Sequence, residues 1–294
     1  MKIVVTGSLG NIAKPLTTQL VQRGHAVTLI SSNPAKERAI QLLGAEAAIG
    51  SLHKDEFLEQ VFLDADAAFC MIPPDFSQPD QLAYYESTGK AYDRAIRNSG
   101  VKRIIHLSSY GAHLSSGAGL ITGSYRVEQI LNKLPNIDLT HIRPGFFYYN
   151  LISFIGMIKS LGFMGAVYGG EDRLALVSPQ DIADVVAEEL TTRNTISAVR
   201  YVASDDRTCD EIAQILGNAI GMPDLKWLTL TEDQVMSNLL ATGMRKETAS
   251  MLVELGMAIH GGKLREDFDK HSPLFGKVSL EIYADEFARI FHDK

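Results

Sequence analysis

Short apolar runs alternate with segments of helical periodicity along the first half of the chain. The runs are KIVVT, AVTLI, AAFCMI, VKRIIHLSS and IDLTHIRPG, and the periodic segments between them include 34–43 and 81–98. Nearly continuous apolar strands separated by helices are typical of a parallel sheet that is covered on both faces. We therefore predict an α/β fold with a doubly wound parallel sheet, whose ligands bind at the carboxyl ends of the strands.

The pattern changes after about Gly145. The segment FFYYNLISFIGMIKSLGFMG is apolar and aromatic, and the remainder of the chain reads mainly as helices. Thr208 and Glu211 have the T-x-x-E spacing of a helix capping box, and Gly221 ends that helix. We predict further helices at 231–241, 246–260 and 279–291. The predicted domains are 1–150, which contains the sheet, and 151–294, a smaller substrate or partner lobe interleaved with the end of the sheet.

Composition and charge exclude several classes of protein. The 294 residues have a net charge of -7 with scattered Lys and Arg, so we expect no direct contact with nucleic acid. Cys70 and Cys209 form no C-x-x-C pair, which indicates a reducing compartment. No apolar run has the length of a membrane span, and the N-terminus does not have the pattern of a secretion signal. We expect a cytoplasmic protein without membrane contact.

Small residues follow the first apolar run with the spacing G-x-x-G-x-x-A, at Gly7, Gly10 and Ala13. In a Rossmann-type fold the first glycine allows a tight turn, and the second lets backbone N–H groups approach a pyrophosphate. A purely structural turn is the alternative, but a strand before it and a helix after it favour dinucleotide binding. We predict that residues 1–150 form an NAD(P)-binding Rossmann domain. The predicted contacts of the diphosphate are Gly7, Ser8, Leu9, Gly10, Asn11 and Ile12.

The end of the second apolar run bears on the identity of the cofactor. An acidic residue there binds the ribose 2′-hydroxyl of NAD, whereas hydroxyl groups and cations accept the 2′-phosphate of NADP. Ser31, Ser32 and Asn33 occupy these positions without an acid, and Lys36 follows. The sequence therefore favours NADP(H) over NAD(H). Arg38 is more simply explained as a solvated helix charge.

Four motifs together carry a resemblance that covers nearly the whole chain. They are TGSLGNIA at the start, HLSSYGA after the predicted fifth strand, THIRPGFFYYNL after the sixth, and SPQDIADVVAEEL later. With them the sequence resembles the NmrA-like branch of the atypical short-chain dehydrogenase/reductases. The resemblance implies a dinucleotide-binding sheet with a small C-terminal lobe and NADP(H) as the usual ligand. It also implies one of two functions, since members are either NADPH-dependent reductases, including quinone and azo-dye reductases, or redox-sensing regulators.

The chain departs from short-chain dehydrogenases in its proton-transfer residues. Those enzymes usually carry Tyr-x-x-x-Lys, in which the lysine lowers the pKa of the tyrosine. None of the ten tyrosines has a lysine four residues later. In NmrA-like proteins a lysine often stands four residues before the glutamate of the same helix, and here that position, counted back from Glu128, is Ser124. The proton relay of an alcohol dehydrogenase is absent.

Quinone reduction does not need a strong general acid, because the ring oxygen takes its proton from water or a weak donor. The candidate catalytic donors are Ser109, His113 and Tyr125, which could hydrogen-bond a developing oxyanion. The alternatives are a serine that caps the strand end, a solvated loop histidine and a packed tyrosine whose hydroxyl is at the surface.

Further cofactor contacts are expected where the other strands end. Met71, Ile72 and Pro73 are expected along the adenine-side ribose and the pyrophosphate, whereas Ser108 lies near the expected nicotinamide position. Pro144 and Phe146 are expected behind the nicotinamide. The aromatic group 146–149 could line a pocket for a flat, apolar small molecule, although lobe packing is its more usual role.

Two functions remain open from the sequence. The first is an NAD(P)H-dependent oxidoreductase that reduces a quinone-like or azo substrate by direct hydride transfer, without flavin or metal; no histidine spacing indicates a metal site. The alternative is an NADP(H)-sensing regulatory protein without turnover. A sugar-nucleotide epimerase is less compatible, because that chemistry uses the absent tyrosine base. A homodimer, or a protein partner bound through the C-terminal lobe, is possible in either case.

Overall fold

The computed structural model describes residues 1–192, 198–271 and 273–293. The chain forms two compact units, each assembled from three segments. The first unit comprises Met1–Ser109, Gly123–Arg143 and Ile182–Arg200. The second comprises Tyr110–Thr122, Pro144–Asp181 and Tyr201–Lys294. The sequence boundary near residue 150 stays a prediction.

Strands and helices alternate through the first part of the chain. The strands are β1 (Lys2–Val5), β2 (Ala26–Ser31), β3 (Glu46–Ile49), β4 (Ala67–Cys70), β5 (Arg103–Leu107), β6 (Asp138–Pro144), β7 (Phe146–Phe147), β8 (Met164–Ala166), β9 (Arg173–Val177), β10 (Val199–Val202), β11 (Asp205–Thr208) and β12 (Trp227–Thr229). The α-helices are α1 (Ala13–Gln22), α2 (Glu37–Leu42), α3 (Asp55–Phe62), α4 (Gln81–Ser99), α5 (Ile121–Leu131), α6 (Ile155–Leu161), α7 (Pro179–Thr191), α8 (Cys209–Ala219), α9 (Glu232–Ala241), α10 (Lys246–His260), α11 (Arg265–His271) and α12 (Leu280–Asp293). Short 3-10 helices occur at Pro34–Lys36 and Tyr148–Phe154.

The main sheet has seven strands in the order β10-β6-β5-β4-β1-β2-β3. The pairs β1/β2, β2/β3, β1/β4, β4/β5 and β5/β6 are all parallel. Strand order reverses at β1, which lies between β2 and β4, and in such sheets ligands bind at the carboxyl ends beside the reversal. The predicted doubly wound α/β fold is confirmed.

The first unit buries its apolar residues around this sheet. Every residue of β4 is buried, and β1 is buried after Lys2, as expected for strands covered on both faces. One core cluster joins these strands to helices α3 and α4 through the large side chains of Phe62 and Tyr92, which stack with ring centroids 6.4 Å apart. This packing fixes the ends of β1 and β4, where the candidate site lies.

The second unit contains two small sheets besides its helices, with strand orders β11-β9-β7 and β12-β8. Its core is centred on Trp227, Tyr148 and Phe287. The capping box of Thr208 and Glu211 is present as predicted, and α10 has the predicted bounds. The small strands were not predicted, because two to five residues are too few to show a period of alternation.

The described residues contain no helix with the length and apolar character that crossing a membrane requires.

Candidate functional site

The turn that follows β1 depends on glycine. Gly7 has a φ of +103°, and a Cβ atom at this position would overlap the Sδ atom of Met71. Ser8 also has a positive φ, of +55°. A Cβ atom on Gly10 would lie 2.9 Å from the carbonyl oxygen of Gly7, which accepts the N–H of Gly10. The turn therefore brings bare backbone to the edge of the sheet.

Met71, directly after β4, is held in place opposite this turn. Its N–H donates to the Oγ1 atom of Thr6 at 2.8 Å, and its carbonyl oxygen accepts the hydroxyl of Tyr92 at 2.7 Å. Thr6 and Tyr92 are fully buried, and burial raises the pKa of Tyr92 well above its ordinary value, so its hydroxyl stays a donor. These bonds hold the backbone of Met71, and a Cβ atom at Gly7 would require its side chain to move.

Helix α1 begins without a side-chain cap. Ile12 occupies the N-cap position, and its side chain forms no hydrogen bond with the first turn. Ile12 and Ala13 are buried, Leu9 is half-buried, and the side chains of Asn11 and Lys14 are exposed. The N–H of Lys14 donates to the carbonyl of Gly10 at 3.0 Å and Pro15 has no N–H, so the N–H groups of Ile12 and Ala13 are the donors that an external acceptor would meet. The amino end of α1 thus fits an external anion.

The hydroxyl of Ser31 forms hydrogen bonds with other residues of the protein. It accepts the Ser8 hydroxyl at 2.9 Å and the N–H of Asn33 at 3.2 Å, and its residue is only 2% exposed. Asn33 uses its Oδ1 atom to accept the N–H of Ala35. These bonds tie the glycine turn to the end of β2. The side chain of Ser32 is exposed and Lys36 is half-buried, so these two predicted residues have more surface available to a 2′-phosphate.

The residues after β4 continue this edge. Ile72 is buried in the core of the first unit. Pro73 is exposed, and its carbonyl oxygen accepts the hydroxyl of Tyr84 at 2.9 Å. This bond fixes the direction in which the chain leaves the sheet.

A buried ion pair lies beside the end of β5. The Glu128 carboxylate on α5 accepts Nε and Nη2 of Arg143 at 2.9 and 2.7 Å, and its Oε1 also accepts the hydroxyl of Ser108 at 2.5 Å. The side chains of Arg143 and Glu128 are 8% and 3% exposed. Such a two-point, charge-assisted contact is strong and directional. It couples α5 to the ends of two strands.

Two histidines form a second buried contact under this ion pair. The Nδ1 atoms of His106 and His141 are 2.9 Å apart, and Nε2 of His141 is 3.1 Å from Oδ1 of Asn132. These distances fit a neutral pair in which His141 donates to Asn132 and accepts from His106. Burial lowers the pKa of both imidazoles, that of His106 well below its ordinary value.

The histidine pair and the ion pair together define a polar column. His106 in β5 is paired in register with His141 in β6. Ser108, directly after β5, and Arg143 in β6 each follow two residues later, so they lie on the same side as the histidines. Asn132 directly follows α5, and its N–H donates to the carbonyl of Glu128 one helical turn earlier. The column comprises His106, Ser108, Glu128, Asn132, His141 and Arg143.

Sequence reasoning placed only Ser108 of the polar column in the site. Three other members could be recognised in the sequence as polar residues within mainly apolar runs, namely His106, His141 and Arg143. A polar or charged residue inside a buried strand needs a partner. The sequence does not show that the partners lie on α5.

Ser109 and Tyr125, two predicted catalytic residues, lie in the first unit and are half-buried. Ser124, at the position where related proteins carry lysine, is 9% exposed. It precedes Glu128 by one helical turn and so lies on the side of α5 that faces the polar column.

His113, Pro144 and Phe146 belong to the second unit. His113 is half-buried and both of its ring nitrogens are out of contact with solvent, so the alternative of a solvated loop histidine is wrong. The reason is that its loop is packed, as the contact of Gly111 with Leu264 shows. Pro144 is buried, and Phe146 is half-buried in β7.

The aromatic residues 146–149 lie partly in a strand and partly in a 3-10 helix. Tyr148 is 1% exposed, stacks on Tyr283 with centroids 4.8 Å apart, and donates its hydroxyl to the carbonyl of Val278. It is therefore a packing residue. Phe147 and Tyr149 are half-buried and stack at 5.0 Å, and burial raises the pKa of Tyr149 to about 12. The four residues do not share one element, because Phe146 and Phe147 form β7 and a 3-10 helix begins at Tyr148.

Across the described ranges, no group of three or more His, Cys, Asp or Glu side chains could hold a metal ion.

The chain belongs to the NmrA-like family, whose model matches residues 1–282. It is 24% identical over 258 residues to the NAD(P)H azoreductase of Xenophilus azovorans, covering 86% of this chain and 85% of that one. It is 23% identical to (4-alkanoyl-5-oxo-2,5-dihydrofuran-3-yl)methyl phosphate reductase of Streptomyces griseus, covering 76% and 77% of the two chains.

Among solved structures, the fold is similar to that of an NADPH-dependent quinone oxidoreductase of Escherichia coli, complexed with NADPH. The TM-score is 0.81 at 20% identity, over 97% of this chain and 99% of the other. This likeness confirms the predicted fold.

Proposed function

We propose that this protein is an NAD(P)H-dependent reductase that transfers hydride directly to a flat, apolar, electron-poor molecule such as a quinone or an azo compound. The observation that carries the proposal is the turn at Gly7, where a positive φ and the contact with Met71 require glycine, beside the start of α1 that no side chain caps. Membership of the NmrA-like family and the reductase names of its relatives support it.

The residues at the glycine turn fit a dinucleotide. The diphosphate would lie against Gly7–Ile12. Its donors would be the N–H groups of Leu9, Asn11 and Ile12, because those of Ser8 and Gly10 donate to carbonyl groups of the protein. Ser32, Asn33 and Lys36 would bind a 2′-phosphate, which gives a preference for NADP(H) over NAD(H). Met71, Ile72 and Pro73 would lie along the ribose and diphosphate, and the Ser31 hydroxyl would position Ser8.

For the proposed hydride transfer, the protein mainly has to hold the nicotinamide and the substrate next to each other. A bound nicotinamide supplies the hydride, and Ser109 and Tyr125 would hydrogen-bond the substrate atom on which negative charge develops. The other sequence candidates, His113, Pro144 and Phe146, stay predictions. Since Tyr125 has no lysine partner, we expect weak activity on ordinary ketones, whose reduction depends more on a strong acid.

The test is a calorimetric titration of the purified protein with NADPH and NADH, followed by turnover with quinones, azo dyes and a ketone on the same sample. We expect tighter binding of NADPH and steady oxidation with quinones or azo dyes. Tight binding of NADPH without turnover of any member of the panel would overturn the reductase proposal.

A second function, an NADP(H) sensor without turnover, is favoured by one observation. Ser124 stands where related chains carry lysine, and no Tyr-x-x-x-Lys pair replaces it. A sensor has to change its binding of a protein partner when the nucleotide binds. A pull-down that is insensitive to NADP(H) would contradict this alternative.

A further inference from the structure

Ser108 lies at the nicotinamide half of the proposed site. Strand order reverses at β1, and Ser31 ends β2 on the side expected for the adenosine. β4 and β5 lie on the other side of β1, and Ser108 directly follows β5. Its N–H donates to the carbonyl of Ile142 at 2.8 Å, so its backbone is still held by the sheet. The residue is 8% exposed.

The hydroxyl of Ser108 has one hydrogen, and that hydrogen is already donated within the protein. It points to Oε1 of Glu128 at 2.5 Å. Both oxygens of this carboxyl group also accept hydrogen bonds from the guanidinium of Arg143, so the group acts as an acceptor toward Ser108. Toward any ligand, Ser108 can therefore only accept a hydrogen bond.

Because Ser108 can only accept, it can bind only a hydrogen-bond donor of the nicotinamide. A developing oxyanion or a carbonyl oxygen needs a donor, which Ser108 cannot be. The amino group of the carboxamide is a donor. We propose that the Glu128–Arg143 pair fixes Ser108 as the acceptor for the carboxamide amino group of the nicotinamide, with Glu128 and Arg143 as positioning residues.

The inference rests on the proposed function, and binding of two cofactors tests it. NADPH is compared by calorimetry with the reduced 3-acetylpyridine analogue, which keeps the carbonyl but has methyl in place of the amino group. One lost hydrogen bond weakens binding about fivefold. We expect wild type to show this preference for NADPH and Ser108→Ala to bind the two cofactors equally.

The control is Ser99→Ala, since Ser99 is a buried serine whose hydroxyl donates only to the carbonyl of Ile96. It should keep the wild-type preference. Glu128→Gln frees the Ser108 hydroxyl to turn and should reduce the preference, provided that thermal unfolding shows a cooperative fold. A purely structural role of Glu128 would lower both affinities and leave their ratio unchanged.

The outcomes separate the two proposals. Equal binding of both cofactors by wild type, or an unchanged preference in Ser108→Ala, would overturn the inference and leave the proposed function standing. Failure of wild type to bind either cofactor would overturn the proposed function, and this inference with it.

Discussion

The carboxyl edge of the main sheet is built in two different ways at its two candidate regions. At β1 it is shaped by backbone, since Gly7 and Gly10 carry no side chain and neither position has room for one. At β5 and β6 it is shaped by side chains, through the buried Glu128–Arg143 pair and the hydroxyl of Ser108. The first region suits the repeated charge of a diphosphate, whereas the second suits a group with one particular hydrogen-bonding pattern.

The largest effect on the free energy of unfolding should come from removing a charge of the buried Glu128–Arg143 pair near β5 and β6. Glu128→Ala leaves the buried guanidinium of Arg143 without its carboxylate, which costs about 3–5 kcal/mol of unfolding free energy. The matched control is Arg126→Ala on the same helix, because Arg126 pairs with Glu86 at side-chain exposures of 42% and 31%. The control should cost about 0–1 kcal/mol. Urea denaturation measures both, and equal losses would contradict the assigned role of the buried pair.

The second largest effect on stability should come from a substitution in the glycine turn after β1. Gly7→Ala must adopt a positive φ and also displace the sulfur of Met71, so we expect a loss of about 2–4 kcal/mol. Gly24→Ala is the control, since Gly24 has a φ of +81° and nothing within 4 Å of the added Cβ atom. Strain alone should cost it about 1–2 kcal/mol.

Denaturation of Gly7→Ala in the background of Met71→Ala separates the two contributions to that loss. The excess over Gly24→Ala should shrink when the sulfur is gone. An excess that persists unchanged would show that contact with Met71 is not its cause.

The smallest effect is a dependence of stability on pH. His106 and His141 have pKa values lowered from the ordinary 6.5, so the unfolded chain binds more protons and stability falls as pH falls below about 6.5. His106→Gln removes one of these groups and should reduce the slope by up to about 1.4 kcal/mol per pH unit. His292→Gln, at an exposed position, is the control. Equal slopes in wild type and His106→Gln between pH 5 and 7 would contradict the buried pair.

The two regions also differ in how far the sequence predicts them. Gly7 and Gly10 could be predicted because a tight turn imposes glycine at fixed spacing on one short segment. Glu128 and Arg143 could not be paired in advance, since they come from a helix and a strand and nothing in their spacing records the contact. The same holds for Ser31, whose residue type suggested a phosphate ligand although its hydroxyl is used by Ser8.

The long alternating segments predicted the main sheet for a similar reason. A buried parallel strand such as β4 requires an apolar residue at every position, and this leaves a plain signal. β7 has only two residues, Phe146 and Phe147, and so shows no such pattern.

The central claim is that the turn at Gly7 binds a nicotinamide dinucleotide. The most direct measurement is a calorimetric titration of NADPH into wild type, Gly7→Ala and Gly24→Ala, each first shown to be folded. We predict saturable binding by wild type and Gly24→Ala, and binding by Gly7→Ala that is weaker by at least about tenfold. Equal affinity of Gly7→Ala and wild type, or no binding by wild type, would contradict the account.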